Sequence, residues 1–445
     1  MKEPTFFSSL FETDAAQRKF FSSSPLTFGK KQIIFFWLTN HSINKGANET
    51  MPRYDVDVCI VGAGPAGAFL GFLLAKQGVK TLLVERHAEL GREFRGEHLH
   101  GDVANLIKKY RLFDKVKERG ILPMKRVDFF HGTKRVMSIT PDLFGIEHVG
   151  IHFPHKHLLS VLIEEAQQTG CLKLLLNTTV TELMTEQDQV IGLKAKCKDE
   201  EVEVRSKIVV GADGRYSTVR KLAGIPAQII KHGYDVLWAK IPVPPDWEPT
   251  MRMVLVNNTQ MTLFACTGGF VQIGWQIEEG SFPSLRKQHF QPFIDTLIKA
   301  APILKPFVDE HIRGWDDFKC LPVQSCRCET WVKNGLILMG DAAHTMSPAG
   351  GIGVNAAMKD ADVLAPIIRD ALLAQDFSRD RLIAFEQMRK DEIKRLQEGQ
   401  IRQEKSIRKL LDHHILMRLF YWNMRVLDKM PWKGKIFAKM YAADK

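Results

Sequence analysis

Three glycines have the spacing that close approach of a backbone to a phosphate requires. They are Gly62, Gly64 and Gly67, and they lie between an apolar run and a helical stretch. Gly62 permits a sharp turn, Gly64 lets the backbone come near a pyrophosphate, and Gly67 lets the helix pack on a strand. The helix N-terminus then offers N–H groups to the phosphates. Glu85, after the next apolar run, is placed to accept hydrogen bonds from a ribose.

These residues need strands and a helix to position them, and the surrounding sequence predicts both. An apolar strand from Val56 to Val61 leads into the glycines, a helix follows to about Gln77, and a second strand runs from Thr81 to Val84. Strand, turn, helix, strand and acid in this order predict a dinucleotide site. A glycine-rich turn without a ligand is the alternative, and the pattern does not distinguish NAD from FAD.

Two further blocks place carboxylates at the ends of apolar strands. Residues 207–220 read KIVVGADGRYSTVR, with Asp213 and Gly214 directly after the apolar run. Residues 335–364 contain a strand that ends at Asp341, then a loop rich in proline and glycine that leads into a helix. A carboxylate beside a helix N-terminus can bind a sugar hydroxyl while the helix amides face an anion.

Together the three blocks resemble the FAD-dependent aromatic hydroxylases, which are single-component flavoprotein monooxygenases of the para-hydroxybenzoate hydroxylase type. The Asp-Gly motif matches over residues 207–220, and the Gly-Asp motif GDAAHxxxPxxGxGxN matches over 340–355. The resemblance covers about residues 54–370 and implies an α/β fold. It implies a Rossmann-like FAD-binding domain with an interleaved β-rich substrate domain and a helical C-terminal region. FAD is the implied cofactor, with NADPH or NADH as cosubstrate.

The resemblance also implies which residues hold FAD. The first glycines and Glu85 hold the ADP half, and Asp341 binds the ribityl chain. The loop from Pro348 to Gly353 lies along the isoalloxazine ring, with its N–H groups facing the ring edge. Asp213 serves both FAD and the nicotinamide cofactor, and Pro348 acts through its place in this loop, since no side-chain nucleophile is expected. The implied cofactor-binding residues are Gly62, Gly64, Pro65, Ala66, Gly67, Glu85, Arg86, Arg95, Asp213, Gly214, Asp341, Pro348, Gly351, Ile352, Gly353 and Asn355.

One position departs from the family pattern. Many members carry an arginine at the start of the helix that follows the first strands of the substrate domain, and His155 stands there instead. Because imidazole lacks the fixed fork of guanidinium, either the FAD contact is altered or Lys156 substitutes. Arg220, in the second block, has two interpretations, a role at the site and an ion pair with a surface carboxylate.

The sequence also predicts an organisation into segments. β-type runs bounded by glycine and proline flank the second block and indicate the substrate domain. Within them, Trp238, Phe264 and Trp275 are candidates for lining a substrate pocket, although aromatic residues on strands are also common in cores. The predicted segments are a disordered or non-native extension at 1–50, a discontinuous FAD-binding domain at 51–370 with substrate-domain segments at about 120–155 and 230–325, and a basic helical region at 371–445.

Composition and charge restrict the class of protein to which the chain can belong. The 445 residues are 45% hydrophobic and 25% charged, which excludes a disordered, collagen-like or polytopic membrane chain. The net charge is +11, but no nucleic-acid module is recognisable, so nucleic acid is not a predicted partner. Seven scattered cysteines lack zinc spacing, so no metal is predicted, and they favour a reducing cytosol.

Much of the positive charge lies in the C-terminal stretch. Residues 390–445 contain 14 Lys+Arg and 7 Asp+Glu. A basic, aromatic-rich stretch over 400–445 is compatible with peripheral contact to an anionic membrane. A helix that caps the core, with its cationic face solvated, is the favoured interpretation. The apolar stripe comprises Ile407, Leu411, Ile415, Leu419, Trp422 and Val426.

The function implied by the resemblance is a FAD-dependent, NAD(P)H-using monooxygenase. Such an enzyme hydroxylates an aromatic or polycyclic small molecule with O₂ through a flavin C4a-hydroperoxide. Two alternatives stay open, a FAD-dependent reductase acting on prenyl lipids and a non-catalytic flavin-binding sensor or interaction protein. A flavin-dependent halogenase is disfavoured because its WxWxIP segment is absent. Nothing in the sequence indicates an oligomeric state.

Overall fold

The computed structural model of the chain describes residues 51–91, 97–99, 101–198, 200–256, 259–430 and 433–434. The predicted extension at 1–50 and the candidate Arg95 lie outside the described residues. The strands are β1 (Arg53–Val61), β2 (Thr81–Val84), β3 (His98–Leu99), β4 (Leu122–Pro123), β5 (Arg126–His131), β6 (Lys134–Ile139), β7 (Ile151–His152), β8 (Leu172–Leu175), β9 (Thr178–Glu186), β10 (Gln189–Cys197), β11 (Glu200–Gly211), β12 (Ala227–Pro242), β13 (Thr250–Val256), β14 (Thr259–Cys266), β15 (Phe270–Glu278), β16 (Lys319–Cys328), β17 (Val332–Lys333) and β18 (Leu336–Leu338).

The helices differ widely in length, and three long helices that begin after residue 350 follow one another along the chain. Short 3₁₀ turns, such as Ala349–Gly351, join several of the elements. The α-helices are α1 (Pro65–Lys76), α2 (Gly101–Lys109), α3 (Phe113–Glu118), α4 (His155–Gln167), α5 (Thr218–Leu222), α6 (Phe282–Leu285), α7 (Gln291–Ala300), α8 (Lys305–His311), α9 (Asp341–His344), α10 (Ile352–Ala374), α11 (Arg379–Asp412) and α12 (His414–Lys429).

The first sheet carries the dinucleotide motif at its centre. Its main path runs β17-β18-β11-β1-β2-β8, and β1 pairs in parallel with β11 on one side and β2 on the other. The inner residues of β1 and all of β2 are buried, as expected of parallel strands covered on both faces. Helices α1, α4 and α10 cover this sheet through one continuous apolar core. The carboxyl ends of β1, β11 and β18 therefore meet at one edge.

A second sheet of seven strands stands beside the first, in the order β16-β12-β15-β14-β13-β5-β6. Most of its pairs are antiparallel, and β13 with β5 is parallel. Its β5 and β6 precede α4, and its other strands follow β11, so the chain crosses between the two sheets more than once. The prediction of an α/β fold with a Rossmann-like part, an interleaved β-rich part and a helical C-terminal region is confirmed.

The C-terminal helices divide the predicted apolar stripe. Helix α11 ends at Asp412 because His413 has an extended backbone, and α12 begins at the next residue. Ile407 and Leu411 line a cavity, whereas Ile415 and Trp422 are exposed to solvent. The predicted stripe therefore consists of two surfaces, one that lines the cavity and one that faces solvent. Among the helices of the described residues, none is both long and apolar enough to cross a bilayer.

Candidate active site at the junction of the two sheets

The glycine turn after β1 lies where a small residue is required and where a ligand has room. A Cβ atom at Gly67 would stand 2.0 Å from the carbonyl oxygen of Gly62, so α1 can pack this closely only with glycine there. A Cβ atom at Gly64 would meet nothing within 4 Å, which leaves open space beside the backbone. Helix α1 begins at Pro65 and has no side-chain cap, and Ala66 is buried behind it. This cradle fits the pyrophosphate of a dinucleotide.

Glu85 lies at the end of β2 and faces the same turn. Its Oε2 accepts a hydrogen bond from the N–H of Ala63 at 2.9 Å, and its Oε1 accepts one from the N–H of His87 at 3.0 Å. The two bonds orient the carboxylate toward the glycine turn and leave it further acceptor capacity. Arg86, the next candidate, is exposed.

The second and third blocks meet at the carboxyl edge of the first sheet. Asp213 lies at the N-terminus of α5, where its carboxylate accepts hydrogen bonds from the N–H groups of Thr218 and Val219. Arg220 is buried and donates to the carbonyl oxygen of Ala342 at 2.7 Å. Ala342 directly follows Asp341, which is half-buried. Arg220 therefore joins the two motifs, and the interpretation as a surface ion pair was wrong. Gly214 follows Asp213 with φ 82° in the connecting turn.

The loop from Pro348 to Gly353 leads into α10 through two glycines in the left-handed region. Gly350 has φ 76° and Gly351 has φ 64°, and Ile352 and Gly353 then form the first turn of the helix. The side chain of Asn355 donates to the Gly351 carbonyl at 2.9 Å, and its Oδ1 is buried without a partner among the described residues. A buried acceptor of this kind is suited to a ligand that offers an N–H or O–H group.

A buried ionic cluster holds the Gly-Asp turn at Gly340 against α10, the helix that follows this loop. Asp360 accepts a hydrogen bond from Arg389 at 2.8 Å, one from the N–H of Gly340 at 3.0 Å, and lies 2.6 Å from Nε2 of His344. All three side chains are buried. Burial by itself would raise the pKa of Asp360, but the adjacent His344 and Arg389 lower that pKa below its ordinary value. The cluster ties α9, α10 and α11 together behind the candidate site.

A cavity of about 1030 Å³ lies between the second sheet, the Pro348 loop and helix α11. This volume is slightly above the roughly 300–1,000 Å³ found for small-molecule sites. The three aromatic candidates from the sequence, Trp238, Phe264 and Trp275, all contribute to its lining, and so does the Pro348–Gly351 segment. The cavity thus adjoins the loop that the resemblance assigns to the flavin ring.

A polar cluster at this cavity was not predicted from the sequence. The carboxylate of Glu404, on α11, accepts hydrogen bonds from the hydroxyl groups of Tyr234, at 2.8 Å, and Ser347. Its other oxygen lies against Nδ1 of His232, and His232 in turn lies 2.7 Å from the Ser325 hydroxyl. Burial, and next the Glu404 charge, raise the pKa of Tyr234 well above its ordinary value, so this phenol stays protonated.

Helix α11 also holds the backbone between Thr345 and Ala349 through two buried glutamines. The amide of Gln397 donates to the Thr345 carbonyl at 3.0 Å. The amide of Gln400 donates to the carbonyl oxygens of Ser347, at 3.0 Å, and Ala349, at 2.7 Å. Residues 397, 400 and 404 share one helix face, and this spacing of polar residues on a long helix was the signal available in the sequence.

His155 is the first residue of α4 and is buried, and its backbone lies beside the carboxylate of Glu97. Its backbone N–H donates to Glu97 at 3.1 Å, and the other Glu97 oxygen lies 3.2 Å from His152 and 3.7 Å from Lys240. Burial by itself would raise the pKa of Glu97, but His152 and Lys240 lower it to about 2, so this carboxylate stays ionised.

The described residues contain no group of three or more His, Cys, Asp or Glu side chains arranged to hold a metal ion.

Comparisons with known proteins agree with this geometry. The family model described as "FAD binding domain" matches residues 55–398. The 6-methylpretetramide 4-monooxygenase of Streptomyces rimosus is 32% identical over 354 residues, which are 78% of this chain and 84% of that protein. The digeranylgeranylglycerophospholipid reductase of Methanosarcina acetivorans is 27% identical over 334 residues, 73% of this chain and 78% of that protein.

Among solved structures, PqsL of P. aeruginosa in complex with 2-aminobenzoylacetate superimposes with a TM-score of 0.67 at 18% identity. The match covers 81% of this chain and 100% of that one, and it shows a shared fold. The family match spans the glycine turn, the Asp-Gly block and the Gly-Asp block, which the structure places at one edge of the first sheet. The chain therefore belongs to the single-component FAD-dependent monooxygenases and is an FAD-dependent oxidoreductase.

Proposed function

We propose that the protein uses NADPH or NADH and O₂ to hydroxylate an aromatic or polycyclic hydrophobic molecule. The observation that carries this proposal is the cavity, which is bounded on one side by Pro348–Gly351 and on the other by the aromatic face of the second sheet. Apolar walls with a few converging polar groups are typical of sites for such molecules. The relative that is 32% identical is a monooxygenase by name, which supports the same reaction class.

The residues assigned to FAD form two groups, one for each half of the cofactor. The Gly62–Gly67 turn and Glu85 would hold the adenosine diphosphate half, and Asp341 with the start of α10 would hold the flavin half. FAD, when bound, supplies the redox chemistry that activates O₂ and delivers one oxygen atom. The chain contributes a fixed site, since α11 holds the backbone of Ser347 and Ala349 through Gln400 and the second sheet forms one wall of the cavity.

The test is the mass of the product. The full chain, loaded with FAD, is given NADPH or NADH in air with a panel of phenols, polyketide aromatics and prenyl lipids. A product heavier by one oxygen atom, labelled from ¹⁸O₂, together with faster NAD(P)H oxidation, is the expected result. A product that gains hydrogen without oxygen would identify a reductase instead. Full flavin occupancy without turnover on any compound would favour the non-catalytic alternative.

Replacement of Glu404 is expected to lower product formation. In Glu404→Leu the hydroxyl groups of Tyr234 and Ser347 lose a buried acceptor, at a cost of about 1–3 kcal/mol for each. The loop then moves, and we expect turnover to fall roughly tenfold or more, since misplaced reacting groups lose rate steeply. The measurement is kcat, KM and product formed per NAD(P)H oxidised.

Two matched variants complete this experiment. Glu404→Gln keeps the acceptor oxygen and is expected to retain more activity than the leucine variant. Glu398→Gln changes a partly exposed glutamate on the same helix, 3.7 Å from Arg327, and is expected to behave as wild type. Wild-type turnover and coupling in Glu404→Leu would show that the cluster does not position the loop.

A further inference from the structure

Helix α12 presents an apolar face to solvent. Ile415 is 76% exposed, Leu416 47%, Leu419 52% and Trp422 63%. At 100° per residue, Ile415, Leu419 and Trp422 fall within about 60° of one another around the helix, so they form one stripe. Single exposed apolar residues are ordinary, but several large ones contiguous on one helix indicate an interaction surface.

The core of the protein does not need this stripe. The opposite face of α12 packs on the second sheet, where Tyr421 and Met424 are buried and Met417, Phe420 and Leu427 are partly buried. The Tyr421 ring stacks on His131 with centroids 4.1 Å apart. An ordinary surface helix buries one apolar face and shows a polar one to water. Because α12 has a second apolar face, that face is available to something outside the core.

On the described residues of α12, the exposed charges beside the stripe have one sign. Arg418, Arg425 and Lys429 are exposed and lie together along one flank of the stripe. The acidic residue within the described part of α12 is Asp428, which is half-buried and accepts hydrogen bonds from the Ser138 N–H and Lys433. The surface is therefore apolar with a cationic margin, and its electrostatic complement is anionic.

We propose that α12 seats the protein on an anionic lipid membrane surface, lying in the plane of the interface. Ile415, Leu419 and Trp422 enter the boundary between headgroups and acyl chains, and Arg418, Arg425 and Lys429 contact lipid phosphates and carboxylates. An amphipathic helix with an aromatic residue on its apolar face and cations beside it has the composition of such interfacial helices. Contact is peripheral, since none of the described helices is suited to span the bilayer.

The position of this surface connects it with the cavity. The cavity lining on α11 continues to Leu411 and Asp412, and Ile415 follows three residues later. Docking through α12 thus brings the α11 end of the cavity to the membrane, where a hydrophobic substrate is concentrated. This last step rests on the proposed function, whereas docking itself does not.

The test is binding of the full chain to vesicles without substrate. Flotation with vesicles of phosphatidylcholine and phosphatidylserine, 7:3, is compared with flotation on pure phosphatidylcholine. We expect binding to the anionic vesicles that weakens as salt is raised. Leu419→Ser/Trp422→Ser should weaken it at least tenfold. Arg418→Gln/Arg425→Gln should weaken it about 25-fold at low salt, taking roughly 1 kcal/mol, or about fivefold, for each cation.

Matched controls lie elsewhere on the surface. Leu373 and Met388 are 78% and 63% exposed, so Leu373→Ser/Met388→Ser removes similar apolar area and should leave binding unchanged. Circular dichroism and FAD occupancy verify that each variant is folded. Because binding is measured without turnover, its failure is separate from failure of the hydroxylation assay.

Five results would overturn the proposal. The first three are absence of binding to anionic vesicles, equal binding to neutral ones, and full binding by Leu419→Ser/Trp422→Ser. The fourth is a dimer in sedimentation velocity that this variant abolishes, which would assign the face to a second copy of the chain. A chain ending at residue 434 that binds vesicles when the full chain does not would assign the face to residues 435–445, and this too would contradict membrane docking.

Discussion

Gly67→Ala is expected to abolish FAD retention and to lower the free energy of unfolding by roughly 4 kcal/mol or more. The added methyl group would stand 2.0 Å from the Gly62 carbonyl oxygen and 3.2 Å from the Ile60 side chain. The first of these is backbone at the end of a central strand and has no room to withdraw. Alanine favours a helix by about 1 kcal/mol over glycine, which is too little to offset the clash. Urea unfolding and flavin content measure the two effects.

Gly64→Ala is the matched comparison, because it changes the same turn without a clash. Gly64 has φ −70° and ψ −178°, which alanine adopts readily, and its Cβ would meet nothing within 4 Å. The FAD-free protein should unfold within about 0.5 kcal/mol of wild type. FAD affinity should still fall at least tenfold, or about 1.4 kcal/mol, since the methyl group takes the space proposed for the pyrophosphate. Wild-type affinity in this variant would refute that placement.

Asp360→Asn is expected to destabilise the fold by about 3–5 kcal/mol at neutral pH. The change leaves Arg389 and His344, both buried, without the carboxylate that accepts from them. Arg389→Met should have a cost of the same order, because it leaves Asp360 as a buried charge with fewer donors. The double variant should lose much less than the sum, and the double-mutant cycle measures this coupling. Strict additivity would show that the ion pair contributes little.

The same cluster predicts how stability changes with pH. The pKa of Asp360 is lowered in the folded state, where the charges of His344 and Arg389 outweigh the effect of burial. A carboxyl with a depressed pKa stabilises the fold above its unfolded pKa of about 4, and this contribution is lost as pH falls through the folded value. The stability difference between wild type and Asp360→Asn should therefore shrink as pH is lowered from about 5. A difference that stays constant would exclude this linkage.

Local sequence predicted the first β-α-β unit closely. The strand before Gly62, the helix up to Lys76 and the strand Thr81–Val84 follow from apolar runs broken at glycines, and each depends mainly on its neighbours along the chain. The three motif blocks predicted FAD through their resemblance to a known family, since the first block alone does not distinguish NAD from FAD. Arg220 was harder to interpret, since its partner Ala342 lies 122 residues away.

The C-terminal helices show what periodicity does not determine. A stripe from Ile407 to Val426 repeats at helical spacing, yet its first part lines a cavity and its later part faces solvent. The period identifies which residues share a face of a helix, but not what that face contacts. The break at His413 and the packing of Tyr421 and Met424 on the second sheet decide that.

The amino-acid sequence by itself predicted a dinucleotide site, because the first motif is short and backbone geometry requires glycine at its positions. The choice of FAD, the fold class and the residues proposed to hold the cofactor came from the resemblance of the three motif blocks to a known family. Only the tertiary structure brought Glu404, Tyr234 and His232 together, set the size of the cavity, and turned one apolar face of α12 outward. The physical reason is that these features are made by side chains distant along the chain, whose contact depends on how two sheets and a long helix pack.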